Sequence, residues 1–265
     1  MQQAEDFLAE SETLFELIRP LPDTAFNQPT GFKNWTINNV IRHLHMWNYA
    51  ADLTLRDGDA FEAFYRELGT RLEGGLREFE AEWLNNLAGQ SLVEVWRDFY
   101  REMAGRFGAA DPSMRVKWAG PGMSVRSSIT ARLMETWAHG QEIYDLLGVV
   151  RTNTDRLRNI VVLGVKTYGW TFNVRGEEVP QPQPYLRLTA PSGEIWTYNE
   201  VSDVETIAGL AEEFCQVVTQ VRNVADTSLE IAGVNAANWM AKAQCFAGPP
   251  QSPPVAGTRH TQVLT

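Results

Sequence analysis

Apolar residues recurring at spacings of three and four run through most of the first 170 residues of this 265-residue chain, and that period commits the N-terminal part to packed helices. Phe7, Leu8, Leu14, Phe15 and Ile18 give a first stripe that must end before Pro20 and Pro22. After a loop through Pro29 and Gly31, Thr36 is placed to cap a helix whose inner face is Ile37, Val40, Ile41, Leu44 and Trp47. A third amphipathic segment spans about 59–87, with Phe61, Phe64, Tyr65, Leu68, Leu72, Leu76 and Phe79, and Gly74-Gly75 is expected to break it. Ser91 is expected to cap a helix presenting Val93, Trp96, Phe99, Tyr100, Met103 and Phe107. Residues 112–125, with a Gly120-Pro121-Gly122 turn, read as a connection, and helices follow over about 128–147, stopping at Gly148, and 155–172. Stripes of this kind stay dry only against one another, so a bundle of at least four long helices is expected.

The pattern changes after Gly176. Pro180, Pro182 and Pro184 make a stiff linker, which reads as a domain boundary. Tyr185–Ala190 and Glu194–Tyr198 flank Pro191-Ser192-Gly193 as a hairpin. A helix over 204–222, a strand over 228–231 and a helix over 235–246 complete a small second unit. The expected fold class is therefore α+β: a helical bundle over 1–176, a small α+β domain over 184–250 and a tail over 251–265.

Composition excludes several partners. With 33 acidic against 23 basic residues the net charge is −10, which argues against nucleic acid and anionic membranes. No stretch approaches the roughly 18 apolar residues of a membrane span, and the start of the chain lacks a signal-peptide pattern, so a cytoplasmic protein is expected. Cys215 and Cys245, the only cysteines, lie in apolar stretches and read as buried small hydrophobes. The nine tryptophans read first as core.

The residues that carry chemistry are Glu135 and His139, four apart on one predicted helix. That spacing stacks the two side chains with Cβ atoms about 5–6 Å apart, so a carboxylate oxygen and an imidazole nitrogen can reach one ion at about 2.0–2.2 Å. A pair at this spacing is also common as a surface or capping pair. His43, on another strongly periodic helix, can supply a third ligand. His45 faces about 200° away from His43 and reads as a surface or interface histidine. Glu142 is a candidate to orient an imidazole N–H, and Asp145 reads as an ordinary helix-end carboxylate.

Trp35-Thr36, Val40 and His43-Leu44, together with Glu135-Thr136-Trp137-Ala138-His139-Gly140-Gln141-Glu142, resemble the DinB-like metal-binding bundle, in its mycothiol-dependent maleylpyruvate isomerase branch. That branch joins the bundle to a C-terminal domain similar to sterol carrier protein 2. The resemblance implies a divalent metal, usually zinc, held by His43, Glu135 and His139. It also implies a low-molecular-weight thiol such as mycothiol, and an arginine important for activity whose counterpart here is Arg222, at the end of the second domain's first helix.

Three protein ligands with an open fourth position suit a catalytic metal, which can present a thiol or water as a nucleophile near neutral pH. The leading expectation is a metal-dependent thiol transferase or isomerase acting on a small molecule, with Arg222 steadying an anionic carboxylate or enolate. The alternatives are a thiol-independent lyase, hydrolase or cyclase, a non-haem iron enzyme, and a non-enzymatic small-molecule carrier. A homodimer is compatible with all of them.

Overall fold

The side chain of Thr36 accepts a hydrogen bond from the Asn39 N–H, and the Asn39 side chain accepts one from the Thr36 N–H. This reciprocal cap fixes the start of the helix that carries His43. The structure is a computed structural model that describes residues 1–71, 75–120 and 122–262; Leu72, Gly74 and Pro121, named above in an expected stripe and two breaks, lie outside the described residues. Its contacts divide the chain into two units, Met1–Leu146 and Leu147–Thr265.

The first unit consists of α1 (Gln2–Ile18), α2 (Ile37–Arg56), α3 (Gly58–Arg71), α4 (Leu76–Trp83), α5 (Gly89–Ala109) and α6 (Val125–Leu146). Helix α1 packs on α5 and α6, and α2 packs on α3, α4, α5 and α6. Trp96, Trp137, Phe7, Leu14 and Phe107 are fully buried between them, each such side chain contributing about 1.5–3 kcal/mol by leaving water. A second apolar cluster joins Met46, Ala50 and Leu53 of α2 to Phe61, Phe64 and Leu68 of α3 and Phe79 of α4. Helix α6 is buried on most sides and therefore shows little amphipathic contrast, with Arg132, Thr136, Gln141 and Glu142 inside as well as Ile129, Leu133 and Trp137.

Two expectations are corrected here. Residues 112–125 are not all connection: Arg115–Val116 (β1) pairs antiparallel with Met123–Ser124 (β2). Ser91 is not the cap of α5, which begins at Gly89. Side chains from elsewhere serve its first turn: Asn38 Oδ1 accepts from the Gly89 N–H at 2.9 Å and Asp23 Oδ1 from the Gln90 N–H at 2.9 Å.

In the second unit, α7 (Arg158–Lys166) and α8 (Tyr168–Asn173) replace one expected helix, interrupted at Thr167, whose hydroxyl bonds the Leu163 carbonyl at 2.8 Å. They belong with the sheet because α7 packs on α9 (Ala211–Val218). The expected hairpin forms β3 (Tyr185–Thr189) and β4 (Ile195–Tyr198). The helix expected from residue 204 does not begin there. Thr206–Leu210 is a strand, β5, paired parallel with β3, and Glu230–Ala232 (β6) completes a sheet of order β4-β3-β5-β6. A free strand edge on β3 outweighs the weak helical preference of Thr206-Ile207, and Gly209 sits at φ +142°, outside helical range. Helix α10 spans only Val234–Met240. The segment expected as a tail is hydrogen-bonded to this unit: Asn223 Nδ2 donates to Pro254 O at 2.8 Å, and Arg259 Nη1 donates to Gln220 O at 3.2 Å.

Gly89 sits at φ +61°, where a Cβ would also collide with the Asp23 carboxylate. Gly89→Ala is expected to lower the unfolding free energy by about 2 kcal/mol or more, read by urea denaturation, whereas Gly105→Ala, in open space on the same helix, leaves it unchanged or raised.

Candidate metal centre

Helices α2 and α6 lie against each other and bring His43, Glu135 and His139 together. One ligand atom from each lies within 4.8 Å of the others. Glu135 Oε2 is 3.3 Å from His139 Nε2 and 3.7 Å from His43 Nε2. Ligand atoms at about 2.1 Å from a tetrahedral ion stand about 3.4 Å apart, so the two carboxylate–imidazole spacings suit a single bound metal ion. Their side chains keep 12 % (His43), 19 % (Glu135) and 12 % (His139) of their surface.

Aromatic rings set the orientation of both imidazoles. Trp35, the residue before the α2 cap, stacks on His139 with ring planes 8° apart and centroids 5.5 Å apart, and Phe32 meets the same imidazole edge-on at 5.1 Å. Trp35 also packs edge-on to His43 at 5.0 Å. Glu80 of α4, fully buried, takes the other nitrogen of His43: His43 Nδ1 lies 2.7 Å from Glu80 Oε1. A carboxylate there accepts from the Nδ1–H and turns Nε2 toward Glu135 and His139. Arg132, one turn before Glu135 and 5 % exposed, places Nη2 3.7 Å from Glu135 Oε1.

Electrostatics treat the two histidines oppositely. Burial pulls His43 down, but the charge of Glu80 and the hydrogen bonds of Glu135 and Glu80 outweigh it and raise its pKa to about 9. Burial lowers His139, helped by the positive His43 and only partly opposed by Glu135. Burial pushes the Glu135 carboxyl up, and hydrogen bonds from His139 and His43 with the charge of Arg132 hold it well below the usual range.

The remaining candidates fall elsewhere. His45 is not a surface residue: it is 5 % exposed, packs edge-on to Phe99 at 5.2 Å, and burial lowers its pKa to about 4. Glu142 and Asp145 are buried, and Asp145 accepts from Gln141 Nε2 at 3.0 Å. Arg222, in the second unit, is not the last residue of a long helix. It lies four residues beyond the end of α9, is 7 % exposed, and donates from Nη1 to the Val221 carbonyl at 3.2 Å. Burial raises the Glu212 carboxyl of the same unit, and Asn153, Arg151 and Arg222 pull it back. Both cysteines are buried, as expected, and burial raises the Cys215 thiol well above its ordinary value.

Glu80 and Arg132 escaped sequence reasoning, although each had a signal. Leu76, Phe79, Glu80 and Trp83 stand at i, i+3, i+4 and i+7, and Ile129, Arg132, Leu133 and Thr136 do the same. A charge at an inward position of an apolar stripe must have a partner inside.

A helical bundle with a His/Glu/His triangle, followed by a small sheet unit, defines a DinB-like architecture. The family model described as the mycothiol maleylpyruvate isomerase N-terminal domain matches residues 7–144, close to the bounds of the first unit, and the chain belongs to that family. Two uncharacterised proteins of Mycobacterium tuberculosis, from strains CDC 1551 / Oshkosh and ATCC 25618 / H37Rv, are each 38% identical over 250 residues, covering 92% of this chain and 95% of theirs. The fold resembles the crystal structure of the mycothiol-dependent maleylpyruvate isomerase, with a TM-score of 0.55 at 16% identity over 82% of this chain and 87% of that one. A histidine-to-alanine variant of that enzyme gives a TM-score of 0.52 at the same identity and coverage.

Glu80→Gln is expected to drop the His43 pKa in metal-free protein by about one unit or more, since burial then meets less opposing charge. Titration of the His43 Cε1–H resonance by NMR checks this; a value still near 9 would assign the shift to Glu135 alone.

Proposed function

We propose that this chain is a divalent-metal-dependent enzyme that uses a low-molecular-weight thiol, mycothiol in the leading form, to isomerise or modify a small electrophilic molecule in the cytoplasm. The observation that carries the reading is the donor triangle of His43, Glu135 and His139, spaced for one ion and partly exposed. Family membership supplies the thiol and the reaction class.

His43, Glu135 and His139 are the residues that would hold the ion, zinc in this reading. A bound divalent ion lowers the pKa of a thiol or water that reaches it and so supplies a nucleophile near neutral pH. Glu80 keeps the His43 proton on Nδ1, so that Nε2 offers a lone pair. Trp35 and Phe32 wall the His139 imidazole and keep bulk water from its faces. Arg222 is assigned, from the resemblance, to hold an anionic carboxylate or enolate, a role its planar fork fills and a lysine fills poorly.

Purified protein is expected to hold one divalent ion per chain and to consume an electrophile only when a thiol is supplied. His139→Ala is expected to lose the ion while melting close to the parent, because the apolar stripes hold the bundle; stoichiometric metal in that variant would overturn the reading. Arg222→Lys is expected to lower turnover while metal content stays at parent level.

Metal affinity carries a pH signature. In metal-free protein His43 keeps a second proton up to about pH 9, and that proton must leave before Nε2 can bind a cation. Affinity is therefore expected to rise about tenfold per pH unit between pH 7 and 9 and to flatten above, with proton release measurable in weakly buffered solution.

A further inference from the structure

We infer that the first unit holds a second small-molecule site, separate from the metal centre, and that it takes a flat aromatic molecule carrying a negative charge. The site is an open cavity between α3 and residues 115–118, with a volume of about 610 Å³, within the roughly 300–1,000 Å³ of small-molecule pockets. None of His43, Glu135 and His139 lines it, so the inference does not depend on the metal reading. Three of its lining rings are nearly parallel. Phe61 stacks on Tyr65 at 5.9 Å with planes 15° apart, and on Trp118 at 5.8 Å with planes 10° apart. Phe61 is buried and Tyr65 is 40 % exposed, so the stack runs from the core to solvent, where a further flat ring can extend it in the offset geometry aromatic pairs prefer. The Arg132 guanidinium lies 5.4 Å from the Trp118 centroid and reaches to 3.7 Å from Glu135 Oε1, so cavity and metal centre share a neighbour.

Charge sets the polarity of the ligand. Glu62 stands four residues before Arg66 on α3, the spacing at which a glutamate and an arginine on one helix pair. It pairs instead with Lys117 at 2.6 Å, and Asp59 approaches the same ammonium at 3.4 Å. Lys117 is thereby neutralised, while Arg66 makes no ion pair or hydrogen bond among the described residues. Arg115 donates from Nη2 to the Gly122 carbonyl and has no carboxylate partner among the described residues. Two exposed guanidinium groups therefore line an aromatic cavity with no anion to balance them, on a chain of net charge −10. An incidental hollow on so acidic a protein is expected to show the opposite sign. A negatively charged substituent answers the guanidinium groups, and an aromatic ring answers the stack. A neutral apolar ligand leaves the cations unused, and a small inorganic anion leaves the rings unused.

The test titrates naphthalene-2-sulfonate and its neutral isostere 2-naphthyl methyl sulfone into purified full-length protein by calorimetry at low ionic strength, with and without added zinc. Wild type is expected to bind the sulfonate about tenfold or more tighter than the sulfone, equally with and without zinc. Arg66→Met and Arg115→Met, at exposed positions that leave the core intact, are each expected to lose most of that preference while the sulfone binds as before. Trp118→Leu is expected to weaken both probes; if it does not fold, the two arginine variants carry the test. Equal binding of the probes by wild type, binding of neither, or a preference retained in both arginine variants would overturn the inference. Sulfonate binding that appears only with zinc would also overturn it, because the probe would then sit at the donor triangle. A protein that takes up no zinc yet shows the preference supports the inference and overturns the metal-centre reading instead.

Discussion

Ionic groups inside a helical bundle are the constraint on which the first unit depends. Glu80, Arg132 and Glu135 all lie within the packed helices, and taking a single unpaired charge out of water costs several kcal/mol even after relaxation. Each is made tolerable by another: Glu80 by His43, Glu135 by both histidines and by Arg132. The partners come from α2, α4 and α6, so satisfying the charges requires these helices to meet at one depth and one rotation. Apolar stripes alone tolerate sliding by a turn; a buried carboxylate facing two imidazoles does not.

The same arrangement separates two chemically identical side chains. His43 has a carboxylate at each ring nitrogen and becomes a base stronger than free imidazole, while His139 has one carboxylate, two aromatic walls and a cationic neighbour, and becomes weaker. His139 is thus neutral and Glu135 ionised near neutral pH. The proton that competes with a metal sits on His43, and Glu80 sets how tightly it is held.

The parts of this architecture that follow from period and capping were legible in the sequence. Thr36 caps α2, the stripes of α1, α2 and α5 face inward, and Glu135 and His139 share a helix face because 3.6 residues per turn leaves no alternative. What was not legible depended on partners distant in the chain. Thr206–Leu210 is a strand because β3 offers it an edge, a fact that resides in residues 185–189. The first turn of α5 is served by Asp23 and Asn38 and not by its own Ser91. His45 was assigned to the surface from its angle to His43, but α2 is surrounded by other helices and its second face is also interior. Glu80 lies beside Phe79 on the inward side of its helix, and its partner His43 is 37 residues away in the chain.

Helix α4 has eight residues and no side-chain cap, and a helix that short does not persist by hydrogen bonding alone. It is held by Phe79, which packs among Phe64, Leu68 and Met46 in an apolar cluster that contains none of the three donors. The carboxylate next to Phe79 is the one that governs the His43 proton. The proton affinity of the centre is therefore under the control of hydrocarbon packing: a lost methylene at Phe64 or Leu68 alters the seat of α4, and through Glu80 it changes the basicity of an imidazole that those side chains need never touch.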